Sequence, residues 1–297
     1  MRRSLMANFL DQLVQIKYRK KSPEEVEKFL KKKILKGEST YSLPFYLRFR
    51  SDINEHHTDG QQVYYLNSSS ESDTLVVYLH GGAFVDEITP FHWKAIDRIA
   101  HLSGCPVIVP LYELMPYATH KEAFEFVEDV YSHLLLNFPE KKVVFMGDSA
   151  GAGLALSVCE YFTKNNICLP EKLVLFSPWL DVSMSNQEMN HYTDRDVMLS
   201  PPGLKVYGKH WAGSLDTQDY RVSPMFGDVE CLDNVTMFVG SDEIFYPDIV
   251  NFYERIKNAG KNCRLYIGQN LGHAYPIFPT REGRQAIKEA AEEIKKL

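Results

Sequence analysis

Residues Val143-Val144-Phe145-Met146-Gly147-Asp148-Ser149-Ala150-Gly151-Ala152-Gly153 constrain the fold more tightly than any other stretch. Four apolar residues stop at Gly-Asp-Ser-Ala-Gly, and an Ala/Leu-rich helical pattern follows immediately, which reads as strand, tight turn and helix. A backbone bent this sharply leaves no space for side chains two positions either side of its tip, so Gly147 and Gly151 flank Ser149. Such a turn lifts the Ser149 hydroxyl off the sheet edge. It also aims the start of the next helix, including the N–H of Ala150, at any negative charge formed beside that oxygen. Ser149 is the candidate nucleophile.

A chain of 297 residues is long enough for one large α/β domain with insertions. Its net charge of −6, with no basic cluster beyond the first 36 residues, speaks against a nucleic-acid partner. Five cysteines, Cys105, Cys159, Cys168, Cys231 and Cys263, are an odd number, widely spaced and without a Cys-x-x-Cys pair. They suggest neither a disulfide framework nor a metal site, and are expected as reduced thiols. Met1-Arg2-Arg3 is followed by Asn8, Asp11 and Gln12 rather than an unbroken apolar run, so the expected location is the cytoplasm, with no stable membrane anchor.

The remaining sequence alternates between strand and helix. Phe9 to Tyr18 and a segment opened by Ser22-Pro23-Glu24-Glu25 and closed by Gly37 read as two helices, forming an N-terminal helical cap segment over residues 1–40. Their lysines and modest apolar stripe suit a membrane surface less well than the mouth of a pocket. Phe45 to Ile53 and Gln61 to Leu66 are expected to pair antiparallel around a turn ending Asp59-Gly60, before the buried strand Thr74 to Leu79. Strands at Val107–Val109, Val143–Met146, Leu173–Phe176, Val235–Val239 and Arg264–Ile267 then alternate with helices. The pattern gives an eight-stranded, mostly parallel sheet with helices on both faces, spanning residues 41–297. Asn186 to Tyr220 breaks it and reads as a cap insertion of short helices.

Three further places carry chemistry. His80-Gly81-Gly82-Ala83-Phe84 directly follows a buried strand, where glycines let the N–H groups of Gly81 and Gly82 approach a substrate oxygen; His80 itself reads as a structural hydrogen-bonding group. His273, in a loop after the last strand, stands out among the histidines as a general base. Gly240-Ser241-Asp242-Glu243 follows another strand and offers Asp242 as the carboxylate that orients the base, with Glu243 and Asp248 as rivals. Asp248 follows Pro247 and looks like a helix-start residue, so Asp242 is preferred.

Together His80-Gly81-Gly82, Gly147 to Gly153, Ser177-Pro178-Trp179-Leu180-Asp181, Gly240 to Glu243 and Gly272-His273 resemble the hormone-sensitive-lipase-like family of α/β-hydrolases, over roughly Leu75 to Phe278. The resemblance implies the α/β-hydrolase fold with a small helical cap, and carboxylester hydrolysis on short acyl chains without a cofactor or metal. It implies Ser149 as nucleophile, His273 as base, Asp242 as orienting acid, and Gly81, Gly82 and Ala150 as oxyanion donors. Two departures stand out: Ala83 replaces a third glycine, and Tyr112-Glu113-Leu114-Met115-Pro116-Tyr117 replaces Tyr-Arg-Leu-Ala-Pro-Glu. The expected partner is a small ester, and a homodimer is left open. A ligand-binding relative without activity and an amidase or peptidase are the alternatives that the same residues allow.

Overall fold

The computed structural model describes residues 4, 6, 20–37 and 40–297. The helix expected over Phe9–Tyr18 lies outside the described residues. The strands are β1 (Ile53–Thr58), β2 (Gln61–Leu66), β3 (Thr74–Leu79), β4 (Val107–Pro110), β5 (Lys142–Asp148), β6 (Lys172–Phe176), β7 (Val235–Gly240) and β8 (Cys263–Gly268). They form one eight-stranded sheet in the order β1-β2-β4-β3-β5-β6-β7-β8, parallel from β4 onward, with β2 antiparallel to both β1 and β4.

The helices are α1 (Pro23–Lys36), α2 (Pro90–Ser103), α3 (His120–Asn137), α4 (Ser149–Lys164), α5 (Pro201–Ala212), α6 (Tyr246–Asn258) and α7 (Arg281–Ile294). Alternate strand residues enter two cores. Val77, Leu79 and Phe145 face the core that includes α3, α4 and α6, whereas Val76, Tyr78, Val144 and Met146 face that of α2 and α7.

The opening hairpin corrects one expectation. The first strand is Ile53–Thr58, not Phe45–Ile53. Asp59 (φ 48°) and Gly60 (φ 84°) both have left-handed backbone, and Thr58 pairs with Gln61, so the turn has two residues and draws the residues just before it into the ladder. That strand reads Ile-Asn-Glu-His-His-Thr and is largely exposed, so it carries no apolar alternation that sequence could register.

Ser22 caps α1 through a reciprocal bond with Glu25. Val26 and Leu30 are buried, each worth about 1.5–3 kcal/mol over exposure, against the second helical segment α5. Lys21 lies 4.0 Å over the Phe29 ring and 3.3 Å from the Tyr207 hydroxyl, while Glu27 meets His210 at 3.2 Å. The N-terminal helix and the insertion thus form one layer.

The elbow joins β5 to α4. Ser149 has φ 51°, and a Cβ on Gly151 would stand 2.1 Å from the Leu79 carbonyl oxygen and 2.5 Å from that of His80. All these neighbours are backbone and cannot swing away. Gly151→Ala is therefore expected to cost about 3 kcal/mol or more. Gly272→Ala, where the new methyl meets nothing within 4 Å, should change stability by less than about 0.5 kcal/mol. Urea unfolding of both variants checks this pair.

Candidate active site

β3 and β5 are neighbours, with Leu79 paired to Gly147, so the loop after β3 lies against the elbow. The side chain of Asp148, 2 % exposed, fastens the two together. Its Oδ1 accepts from the Tyr78 hydroxyl at 2.8 Å and from the Gly81 N–H at 3.0 Å; its Oδ2 lies 3.1 Å from His92 Nε2. Thr89 N–H donates to His92 Nδ1 at 3.0 Å, which makes that nitrogen an acceptor and assigns the ring proton to Nε2, facing Asp148. Burial disfavours the Asp148 anion, but His92, Tyr78 and the Gly81 N–H outweigh it and hold the carboxyl below its ordinary range.

Gly81 was expected to donate to a substrate oxygen, and its N–H is instead spent on Asp148. The N–H groups of Gly82 and Ala83 have no partner among the described residues. Ala150, second in α4, supplies one of the unpaired donors of a helix start. The candidate oxyanion donors are accordingly Gly82, Ala83 and Ala150. Ala83 departs from a third glycine, yet a backbone donor needs no particular side chain.

His273 Nε2 lies 2.8 Å from Ser149 Oγ, and its Nδ1 lies 3.2 Å from Glu243 Oε2. The carboxylate that meets His273 is that of Glu243, not of Asp242 as expected. The Ser241 N–H bonds to the Gly268 carbonyl and the Asp242 N–H to the Leu271 carbonyl, which pins the loop after β7 to the loop after β8. This leaves the Asp242 side chain, 22 % exposed, 3.7 Å from Arg195, while the next residue turns inward. Asp248, the other rival, sits in the first turn of α6 and accepts from Asn186 at 2.7 Å; burial pushes its carboxyl up to about 6.

Two supports for the acid escaped the sequence reading. Ser177 (φ 47°) donates from Oγ to Glu243 Oε2 at 2.8 Å and accepts the Ala274 N–H at 3.0 Å, linking acid and base loops. Asp196, fully buried in the insertion, accepts N–H bonds from Met198, Leu199 and Ile244, each at 2.9 Å. Burial raises the Glu243 carboxyl, and the Asp196 charge adds to that, against the lowering by His273 and Ser177. Burial works against a charged His273, but the bond and charge of Glu243 prevail and lift the imidazole above 6.5. Such a pair can accept the Ser149 proton and stabilise the resulting imidazolium.

A separate cleft of about 550 Å³, bordered by Lys33, His80, Glu87, Tyr112 and Tyr117, has neither Ser149 nor His273 in its lining. The groups able to form bonds lie outside that cleft, in the hydrogen-bonded line Ser149–His273–Glu243.

A family model described as the alpha/beta hydrolase fold matches residues 76–277. The chain belongs to that family, within the hormone-sensitive-lipase-like esterases and lipases that its motifs resemble. An esterase of Acinetobacter venetianus is 28 % identical over 231 residues, covering 76 % of each chain. An acetyl-hydrolase of Streptomyces hygroscopicus is 25 % identical over 231 residues, 76 % of this chain and 77 % of its own. Among solved structures, a candidate esterase from Staphylococcus aureus superposes with TM-score 0.89 at 31 % identity, covering 93 % of this chain and 94 % of that one. The protein is an ester-hydrolysing enzyme of this fold.

Two outcomes are expected. Glu243→Gln should lower kcat by on the order of 10³–10⁴ with the fold intact, whereas Asp242→Asn should stay within about fivefold of wild type. Because His273 must be neutral to take a proton, kcat/KM should rise with pH through a midpoint above 6.5; Glu243→Gln, which removes the carboxylate charge, should move that midpoint down. Steady-state kinetics from pH 5 to 9 measure both.

Proposed function

We propose that the protein is a serine carboxylesterase that hydrolyses short-chain acyl esters through an acyl-enzyme. The observation that carries this reading is the 2.8 Å contact between Ser149 Oγ and His273 Nε2, backed by the buried Glu243 on the other ring nitrogen. In the first half-reaction Ser149 Oγ attacks the ester carbonyl carbon as His273 takes its proton. The carbonyl oxygen becomes an oxyanion facing the N–H groups of Gly82, Ala83 and Ala150. The carbon–oxygen bond to the alcohol then breaks, and His273 returns the proton to the departing alkoxide. Water enters by the same route in reverse, deprotonated by His273, and releases the acid with Ser149 restored.

Short acyl chains are supported by a set of rings beside the elbow. The Trp179 N–H donates to the Ser149 carbonyl at 3.0 Å, its indole stacks on Phe245, and Phe245 meets His273 edge-on at 5.1 Å. These buried rings pack beside Ser149 and His273, which favours a short acyl chain. Retention of nucleophile, base and acid in hydrogen-bonding geometry counts against a binding protein without activity. A cytoplasmic setting belongs to the same reading, supported by an odd number of widely spaced cysteines without a Cys-x-x-Cys pair. Among the described residues no helix is long and apolar enough to cross a membrane.

An organophosphonate should label the wild type once, at Ser149, and Ser149→Ala should abolish both labelling and ester turnover. On p-nitrophenyl esters the rate should be highest for acyl chains of about two to six carbons and fall beyond them. Faster turnover of emulsified long-chain triglyceride, or of the matching anilides, would replace this reading with a lipase or an amidase. Mass spectrometry of the labelled peptide and initial rates across the panel provide the readouts.

A further inference from the structure

The loop after β3 carries an unusual backbone. Gly82 has φ 128°, and two residues that are not glycine follow it with left-handed backbone, Ala83 at 52° and Phe84 at 59°. For a bulky aromatic residue this conformation is costly, on the order of 1–3 kcal/mol, and it persists only where the surroundings impose it.

The surroundings here come largely from the helical layer. The Phe84 ring lies flat on the Trp211 indole of α5, centroids 3.8 Å apart and planes 3° from parallel; Trp179 lies 5.9 Å away at 24°. The Phe84 carbonyl accepts the Met115 N–H at 2.8 Å, and the Val85 carbonyl accepts the Lys33 ammonium of α1. Trp211 is itself buried, and its carbonyl lies 3.3 Å from His120 Nδ1. Residues 84 and 85 are thus gripped by one side chain from each helix of the layer, directly after the two unpaired N–H groups of Gly82 and Ala83.

We propose that the helical layer holds the oxyanion loop in its reactive shape, with Trp211 and, to a smaller degree, Lys33 as positioning residues. Without the Trp211 face, Ala83 and Phe84 can relax toward negative φ, and the peptide that carries the Ala83 N–H turns away from the substrate oxygen. The layer then takes part in stabilising the transition state. This inference rests on the serine-esterase reading above.

The test uses full-length Trp211→Ala, Trp211→Phe and Lys33→Met, with p-nitrophenyl acetate and the analogue whose carbonyl oxygen is replaced by sulfur. Sulfur is larger and a poor hydrogen-bond acceptor, so a working oxyanion site prefers oxygen. In Trp211→Ala we expect kcat to fall about 10- to 100-fold with KM within about threefold, and the oxygen-over-sulfur preference to shrink with it. Trp211→Phe, which can still stack, should restore the preference, and Lys33→Met should move it the same way by less. A folded Trp211→Ala with an unchanged preference overturns the proposal, including where only acyl-length selectivity has altered. If Trp211→Ala does not fold, Lys33→Met decides, and an unchanged preference there overturns it. Ser149→Ala runs alongside: activity surviving in that variant removes the esterase reading itself, whatever the helical-layer variants do.

Discussion

The buried carboxylate of Asp148 is the contact on which the site depends. It sits between strand β3, the loop that follows it, helix α2 and the elbow, and each of the first three sends it one donor: Tyr78, Gly81 and His92. A charge taken out of water is tolerated only when its lone pairs are filled, and removal of one partner from such a buried set commonly costs about 3–5 kcal/mol. Because the acceptor directly precedes Ser149, the loop after β3 is referenced to that serine by one residue's covalent geometry. The cost is that Gly81 can no longer serve substrate, which moves the free donors one place along the loop.

The other half of the site is assembled across loops that leave adjacent strands. Ser177 after β6, Glu243 after β7 and His273 after β8 converge because parallel neighbours deliver their carboxyl ends to the same edge. Ser177 passes a hydrogen bond from the Ala274 N–H to Glu243, so the acid and the base cannot shift independently. Asp196 brings the insertion into the same network through the Ile244 N–H. Both halves of the site are therefore tied to the helical segments that interrupt the α/β alternation. Those segments contact the backbone on either side of the site, at Phe84, Val85 and Ile244.

Much of this was legible in the chain. Alternating buried strands and capped helices specify a parallel sheet because each pattern can bury its apolar face in only one way, and the glycines around Ser149 admit only a tight turn. Seven of the eight strands fall where periodicity places them, and β1 does not, because its residues are polar and a two-residue turn selects them. Ser149 and His273 are equally local in origin, since each stands in a short motif at the end of a strand.

What only the tertiary structure decided is which neighbour in a motif does the work. Asp242 and Glu243 are adjacent, both acidic and both just past β7. The choice between them is made by the Leu271 carbonyl, which pins the Asp242 backbone and turns Glu243 inward. Gly81 and Ala83 differ because the first N–H is claimed by Asp148, a residue 67 positions away. A sequence records which groups a turn can present; which of them remain unpaired, and which way they point, is set by partners that come near only when the sheet closes.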